Sequence, residues 1–214
     1  HELRNAVTGA KLALDVHRRR CPAAGAADES LVVASRQLDI LEEEVRGLLA
    51  LGRQRETQPA AVDVAAMLAE VGDLTGPRCD HAGVELDRGR PAGLWVFGRA
   101  DALRAALVNL VLNAVDAAGR GGRVWLDAAR TADGVRLLVE DTGPGPPEAI
   151  RDTLHEPFVT GKPEGIGLGL AIAKAVAEEH GGGLGWERAA GRTRFVITLP
   201  AAAAPAAAPG TTPA

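Results

Sequence analysis

The sequence predicts an α+β protein in which a helical hairpin is followed by a two-layer α/β sandwich. Two observations predict this arrangement. Apolar residues recur every three or four positions over residues 1–55, and helical and strand-like patterns alternate from about residue 64 onward. The hydrophobic fraction is 46% but only 3% of residues are aromatic, so the core is made of small side chains that suit close packing of helices on a sheet. With 214 residues, the chain has room for both parts.

The hairpin is predicted at residues 1–55. Its second arm carries the more regular apolar pattern, with Leu31, Ala34, Leu38, Leu41, Val45 and Leu48 alternating steps of three and four. This is the seam of a coiled coil or helical bundle. Pro22 and Gly25 separate the two arms. Because two such helices cannot bury both faces alone, we expect a homodimer with a four-helix bundle.

The second domain is predicted at residues 56–200, and its boundary falls within a linker-like stretch over residues 52–61 that is rich in Gly, Pro and polar side chains. Helices are expected near residues 64–74, 101–118 and 168–180, and strands near residues 84–87, 94–97, 123–128, 135–140, 184–187 and 193–199. Strands with helices on one side give a two-layer sandwich. Residues 201–214 are an Ala/Pro tail that we expect to be disordered.

Charge and composition exclude several classes of protein. The net charge of -4 and the dispersed arginines provide no basic face for nucleic acid. No apolar run approaches the roughly 20 residues that span a bilayer, and the two cysteines lack metal spacing, as in a cytoplasmic protein with reduced thiols. Since the chain begins with His1, we expect a fragment whose sensor part, and any membrane anchor, lies upstream.

The first candidate motif is "LVNLVLNAVDAAG" at residues 107–119. Asn109 and Asn113 are four apart and therefore neighbours on a helix, and Asp116 extends the same face by one turn. This motif alone is equally consistent with a solvated helix face.

The second motif is "VRLLVEDTGPGPP" at residues 135–147. Strand periodicity places Asp141 on the side that the apolar residues bury. An unpartnered buried carboxylate is costly, so Asp141 needs a donor, such as an amino group of a ligand. Gly143 and Gly145 flank a proline in a turn, and an N-capping Asp in such a turn is the structural alternative.

The third motif is "TGKPEGIGLGLAIAKAV" at residues 160–176, where Gly165, Gly167 and Gly169 precede or open a helix. Bare amides at a helix N-terminus favour anions. The pattern does not match the phosphate loop that ends in Gly-Lys-Ser/Thr, because Lys162 is followed by Pro163. Nor does it match the dinucleotide fingerprint, so the glycines alone remain a weak signal for phosphate.

The order of these motifs resembles a bacterial sensor histidine kinase with an ATP-binding domain of the GHKL (Bergerat) type. "HELRN" at the start resembles the family's H box, and the closing "GRTRFVITLP" resembles its last strand. Between them, "NLVLNAVDAAG", "DTGPG", "HEPFVTGK" and "GIGLGL" resemble the N, G1, F and G2 boxes in the family's order.

The resemblance implies a site for ATP and Mg²⁺. Asn113 would ligate the metal and Asn109 would support it, while Asp141 would accept a hydrogen bond from the adenine amino group. Residues 146–164 would form a mobile lid that Phe158 packs, with Thr160 and Lys162 near the phosphates. The remaining expected nucleotide-binding residues are Asp116, Gly143, Gly145, Gly165, Gly167, Leu168 and Gly169.

The same resemblance makes His1 the phosphoacceptor. Glu2 would act as the base on its imidazole, and Asn5 would orient the water that removes phosphate from a partner aspartate. The phosphoryl group would pass to the receiver domain of a response regulator. Two positions depart from the family pattern: Ala6 stands where Pro is common, and Arg99 stands where Asp is frequent.

Three alternatives remain open at this stage. One is a relative that binds ATP but acts as a scaffold. Another is a GHKL protein of a different branch, either a serine kinase or an ATPase, although the ATPases carry Glu where Asn109 stands here. The third is an α/β sandwich with a coincidental glycine loop.

Overall fold

The computed structural model describes residues 58–162 and 167–204. The predicted hairpin at residues 1–55 lies outside them. In chain order the described elements are β1 (Ala60–Asp63), α1 (Val64–Ala82), β2 (Glu85–Arg88), β3 (Trp95–Gly98), α2 (Ala100–Ala118), β4 (Arg123–Thr131), β5 (Gly134–Asp141), a 3-10 turn (Glu148–Ile150), α3 (Gly169–Glu179), β6 (Gly183–Ala189) and β7 (Arg192–Leu199). None of these helices is both long and apolar enough to cross a bilayer.

The main sheet has five strands in the order β2-β4-β5-β7-β6. β2 pairs with β4 in parallel and the other pairs are antiparallel. Burial alternates along β5, where Val135, Leu137 and Val139 are fully buried while Arg136 is exposed. One face of the sheet is therefore covered by the helices, and the predicted two-layer α+β class is confirmed.

Helix α2 forms the centre of the helical layer. Leu103, Leu107 and Leu110 recur at helical spacing and are fully buried, as the sequence predicted. Ala173 and Ala177 of α3 are also fully buried, and these small side chains let α3 pack closely on α2. This packing places the start of α3 beside the polar face of α2.

Helix α1 is longer than predicted, because it continues through Pro77 to Ala82 instead of ending near residue 74. Proline removes the N–H that would bond the carbonyl of Asp73, but Asp73 is exposed, so water can satisfy that group. Thr75 and Cys79 are 1% exposed, and their burial favours the continued helix. The helix ends at Gly83, whose φ of 67° is the left-handed conformation of a C-cap.

A small second sheet forms where the sequence predicted a linker and a disordered tail. β1 pairs antiparallel with β3, although residues 60 and 61 were assigned to the linker. On the other side of β3, Ala201 bridges Val96 and the N–H of Ala202 donates to Trp95 at 2.8 Å. The tail was expected to be disordered from residue 201, but its first two residues pair with β3. Alanine carries little strand propensity, so this pairing depends on the partner strand.

Candidate functional site

Asp141 lies at the end of β5 and is 1% exposed, as its position on the buried face predicted. Its Oδ1 accepts the N–H of Gly143 at 2.7 Å. Within the described residues Oδ2 accepts no hydrogen bond, so this oxygen is available to a donor on a ligand. Burial raises the pKa of Asp141 to about 6, although the Gly143 hydrogen bond and the positive charge of Arg188 favour the ionised form.

The loop after Asp141 requires glycine at two positions. A Cβ on Gly143 would lie 2.5 Å from the backbone oxygen of Ala117 on α2, a contact that real side chains do not make. Gly145 has a φ of 79°, which L side chains rarely adopt. The loop therefore passes close to α2, and the glycines permit that approach.

Thr193 and Arg188 complete this end of the site. Thr193 pairs directly with Asp141 across β5 and β7 and is 1% exposed. The Nη1 of Arg188 donates to the carbonyl of Gly143 at 2.6 Å and to the Oγ1 of Thr193 at 2.8 Å. We refer to Asp141, Gly143, Gly145, Arg188 and Thr193 as the base end.

The sequence analysis did not predict Thr193 or Arg188 as site residues. Thr193 could have been found, because the period of two set by buried Phe195 and Ile197 places it on the inner face of β7. Arg188 carried no such signal, since it is one of many dispersed arginines.

The polar face of α2 meets the residues that precede α3. The Nζ of Lys162 donates to Asn113 Oδ1 at 3.2 Å and to Asp116 Oδ2 at 2.9 Å. The other oxygen of Asp116, Oδ1, accepts from Arg78 Nη2 at 3.1 Å. We refer to Asn109, Asn113, Asp116, Lys162 and the start of α3 as the phosphate end. The sequence did not predict Arg78 as a site residue. The helix was expected to end near residue 74, before Gly76, Pro77 and Arg78.

Helix α3 begins against the two asparagines. A Cβ on Gly169 would lie 3.1 Å from Asn113 Nδ2 and 3.8 Å from Asn109 Cβ. Gly167 has a φ of 74°, and a Cβ there would lie 2.3 Å from the backbone oxygen of Val159. Leu168 is 8% exposed, so any contact from it to a ligand would have to come from its backbone.

The segment before α3 differs from expectation at one position. The Oγ1 of Thr160 accepts the N–H of Lys162 at 3.0 Å, so Thr160 shapes the turn that carries Lys162. Phe158 was expected to pack the lid, but its side chain is 70% exposed and its φ is 68°. Leu154, which is 6% exposed and belongs to the core, anchors this stretch instead.

The donor set of the phosphate end fits a magnesium ion. The oxygens of Asn113 and Asp116 converge on one ammonium group in this structure, so they are arranged around a single cation position. Mg²⁺ takes oxygen ligands and retains several waters. In the described part of the chain no group of three or more His, Cys, Asp or Glu side chains could hold a metal ion, so phosphate and water would supply the other ligands.

Helix α2 joins the two ends of the site. Ala117 contacts the loop of the base end, and Asn113, about one turn earlier, faces the phosphate end. The arrangement can bind a ligand that has a hydrogen-bond donor at one end and an anionic group at the other. Gly165, like the predicted reaction centre of His1, Glu2 and Asn5, lies outside the described residues.

Comparisons with known proteins agree with this geometry. Residues 98–203 match the family described as "Histidine kinase-, DNA gyrase B-, and HSP90-like ATPase". The sensor histidine kinase ZraS of Klebsiella oxytoca is 31% identical over 203 residues, which cover 94% of this chain and 44% of ZraS. The sensory histidine kinase/phosphatase NtrB of Rhodobacter capsulatus is 41% identical over 119 residues, which cover 50% of this chain and 34% of NtrB.

Solved structures give the same result. The catalytic domain of the histidine kinase ThkA has a TM-score of 0.62 at 26% identity, covering 67% of this chain and 96% of that domain. Full-length ShkA in complex with AMPPNP has a TM-score of 0.67 at 26% identity, covering 95% of this chain and 45% of ShkA. The chain spans less than half the length of the ZraS proteins that it matches.

Proposed function

Because this chain belongs to the bacterial sensor histidine kinases and carries their GHKL-type ATP-binding domain, we propose that it is the ATP-dependent protein-histidine autokinase core of a two-component system. The observation that carries this proposal is that α2 lies against both ends of the site, with Ala117 beside the Gly143 loop that follows Asp141 and Asn113 bonded to Lys162. The site thus combines a buried hydrogen-bond acceptor for a base with an exposed position for phosphates and the cation that accompanies them.

At the base end, Oδ2 of Asp141 would accept a hydrogen bond from the adenine amino group. The ionised form of Asp141 is the better acceptor, and the base would replace water as its partner. Thr193, directly opposite on β7, has a hydroxyl that could donate to the same ligand or to a bridging water.

At the phosphate end, the triphosphate would lie between Lys162 and the start of α3. The amides at a helix N-terminus favour negative charge, and Gly169 leaves them open to a ligand because it has no side chain. Mg²⁺ would be held by Asn113 Oδ1 together with phosphate oxygens. When bound, the ion offsets the charge that develops on the transferring phosphoryl group.

The phosphoacceptor would be His1. Its neutral imidazole would attack the γ-phosphorus through one nitrogen, the bond to the bridging oxygen would break, and ADP would leave. Glu2 would accept or orient the proton on the other ring nitrogen. The phosphoryl group would then pass to an aspartate of a receiver domain, and Asn5 would orient water for the reverse, dephosphorylating activity. Use of ATP is consistent with a cytoplasmic location for this part of the protein.

The chain would act as a homodimer through residues 1–55. Light scattering at micromolar concentration is expected to give twice the mass of one chain. A monomeric mass at all concentrations would contradict the dimer, without bearing on nucleotide binding.

The test of the proposal is incorporation of labelled phosphate from γ-labelled ATP in the presence of Mg²⁺. We expect phosphate that is labile to acid and stable to base, and its loss in His1→Gln. The variant Asn113→Ala should also lose incorporation while retaining the wild-type circular dichroism spectrum. Phosphate incorporation that persists in His1→Gln would refute the assignment of His1.

The same variants separate the alternative functions. A GHKL ATPase would release phosphate from ATP at the same rate in His1→Gln as in the wild type, and a scaffold would bind ATP without either reaction. Asn109 favours the kinase over the ATPase, because an amide cannot act as a general base for water.

A further inference from the structure

Arg188 is a charged side chain of the base end that lies outside every recognised sequence motif. It stands near the end of β6, and its guanidinium reaches across to two other segments. Nη1 donates to the carbonyl of Gly143 at 2.6 Å and to the Oγ1 of Thr193 at 2.8 Å. Arg188 thus joins the loop after β5 to the inner face of β7.

The hydrogen bonds around Gly143 use both of its backbone groups. Its N–H donates to Asp141 and its carbonyl accepts from Arg188. Two charged side chains from different strands therefore hold one residue of the loop. Hydrogen bonds to charged groups are stronger than those between neutral groups, so this residue should be the most restrained point of the loop.

The hydrogen bond to Thr193 also orients that hydroxyl. Since Arg188 donates to Oγ1, the hydroxyl proton must point away from the guanidinium. Within the described residues no hydrogen bond is donated by the Thr193 hydroxyl, so its proton is available to a ligand or a bridging water beside Asp141.

The charge of Arg188 acts on Asp141 as well. Arg188 on β6 and Lys162 before α3 both favour the ionised carboxylate, whereas Glu140, the neighbouring residue on β5, disfavours it. Of Arg188, Lys162 and Glu140, only Arg188 also has a recorded side-chain hydrogen bond to the loop and to Thr193.

We propose that Arg188 is a positioning residue for base recognition: it fixes the Gly143 loop, directs the Thr193 hydroxyl toward the ligand and helps to keep Asp141 ionised. This inference rests on the proposed function in that the ligand is an adenine nucleotide. It adds a residue that acts through its neighbours and need not touch the base.

The first test compares adenosine and ADP, titrated calorimetrically into the full chain and its Arg188→Ala variant. We expect both ligands to bind about tenfold more weakly, because the lost interactions serve the base that the two ligands share. In the kinase assay KM for ATP should rise while kcat stays close to the wild-type value. Arg188→Lys, which retains a donor and the charge, should recover part of the affinity.

Arg192→Ala is the matched control. Arg192 lies on the next strand and its guanidinium is bonded to Glu140, but among the described residues that side chain makes no hydrogen bond to the base end. Its removal should leave adenosine affinity unchanged. Equal losses in the two variants would indicate general weakening of the β6–β7 hairpin and would overturn the proposal. A loss of ADP affinity with unchanged adenosine affinity would also overturn the proposal, because Arg188 would then act on phosphates.

The pH profile gives a readout that a purely structural role would not change. Adenosine affinity of the wild type should fall as the pH drops through about 6, where Asp141 becomes protonated. In Arg188→Ala the midpoint should move to higher pH, because a charge that favours the carboxylate is gone. An unchanged midpoint would contradict the electrostatic part of the proposal.

A further measurement does not depend on nucleotide at all. In the ligand-free chain the amide hydrogen of Gly143 should exchange faster in Arg188→Ala than in Arg192→Ala. If the wild type bound no nucleotide but this difference appeared, the proposed function would fail while the positioning of the loop would stand. Identical exchange in the two variants would overturn the positioning role.

Discussion

The base end and the phosphate end of the site differ in how they are built. At the base end Asp141 and Thr193 are each 1% exposed and stand opposite one another in the register of two strands. At the phosphate end the side chains of Asp116 and Lys162 are 39% and 42% exposed and belong to a helix and to the segment before α3. One end is fixed by the sheet, whereas the other is assembled from solvated ion pairs.

This difference shows how a single site can be rigid and adaptable at once. A buried carboxylate has few alternative partners, so the base end is selective but costs stability. Exposed ion pairs contribute only about 0–1 kcal/mol each, so Lys162 can exchange Asn113 and Asp116 for a phosphate at little cost. In the proposed reaction the phosphate end can therefore change its contacts as ATP becomes ADP.

The largest effect that separates the two ends is expected for Asp141→Asn. Removing the ionised acceptor should lower the affinity for both adenosine and ADP by about 10- to 100-fold, as expected for the loss of a hydrogen bond to a charged group. Calorimetric titration of each ligand measures this. A loss confined to ADP would show that Asp141 does not contact the base.

The same substitution should stabilise the ligand-free chain. Burial raises the pKa of Asp141 from 3.8 to about 6, so the folded state binds the proton more tightly than the unfolded state does. The contribution of Asp141 to wild-type stability therefore falls as the pH rises from about 4 to about 6, by about 3 kcal/mol. Urea unfolding at pH 8 should give Asp141→Asn the higher free energy of unfolding, and the gap should close near pH 4.

Gly143→Ala tests the close approach of the loop to α2. The added Cβ would meet the backbone of Ala117 at 2.5 Å, so the loop or the helix must shift, at about 1–3 kcal/mol. Urea unfolding measures the cost, and adenosine affinity should fall with it. Gly185→Ala is the matched control, because a Cβ there would meet nothing within 4 Å and, as at Gly143, φ is not positive.

The smallest effect is expected at the phosphate end. At pH 8, where Asp141 is ionised with or without this charge, Lys162→Ala should weaken ADP binding about two- to fivefold while adenosine affinity stays unchanged, because one exposed cation is lost. Arg88→Ala removes a comparably exposed arginine, which is paired with Asp73 and has no recorded bond to a described residue of either end, and should change the affinity for neither ligand. An equal loss of adenosine and ADP in Lys162→Ala would remove the distinction between the two ends.

The sequence predicted most of the elements because their patterns are local. Leu103, Leu107 and Leu110 mark α2 by spacing alone, and Asp141 follows from strand periodicity. The failures required information from elsewhere in the chain. β1 formed because β3 supplies its partner, and α1 continued past Pro77 because Thr75 and Cys79 are buried.

The sequence by itself determined the order of the motifs, the buried position of Asp141 and the glycines of its loop, since each depends on residue type and short spacing. Only the tertiary structure decided which distant groups complete the site. Arg188, Thr193 and Arg78 reach their partners through strand pairing and helix packing, across separations of up to 52 residues. Periodicity cannot encode such contacts, because it specifies which face a side chain occupies and leaves open what that face will meet.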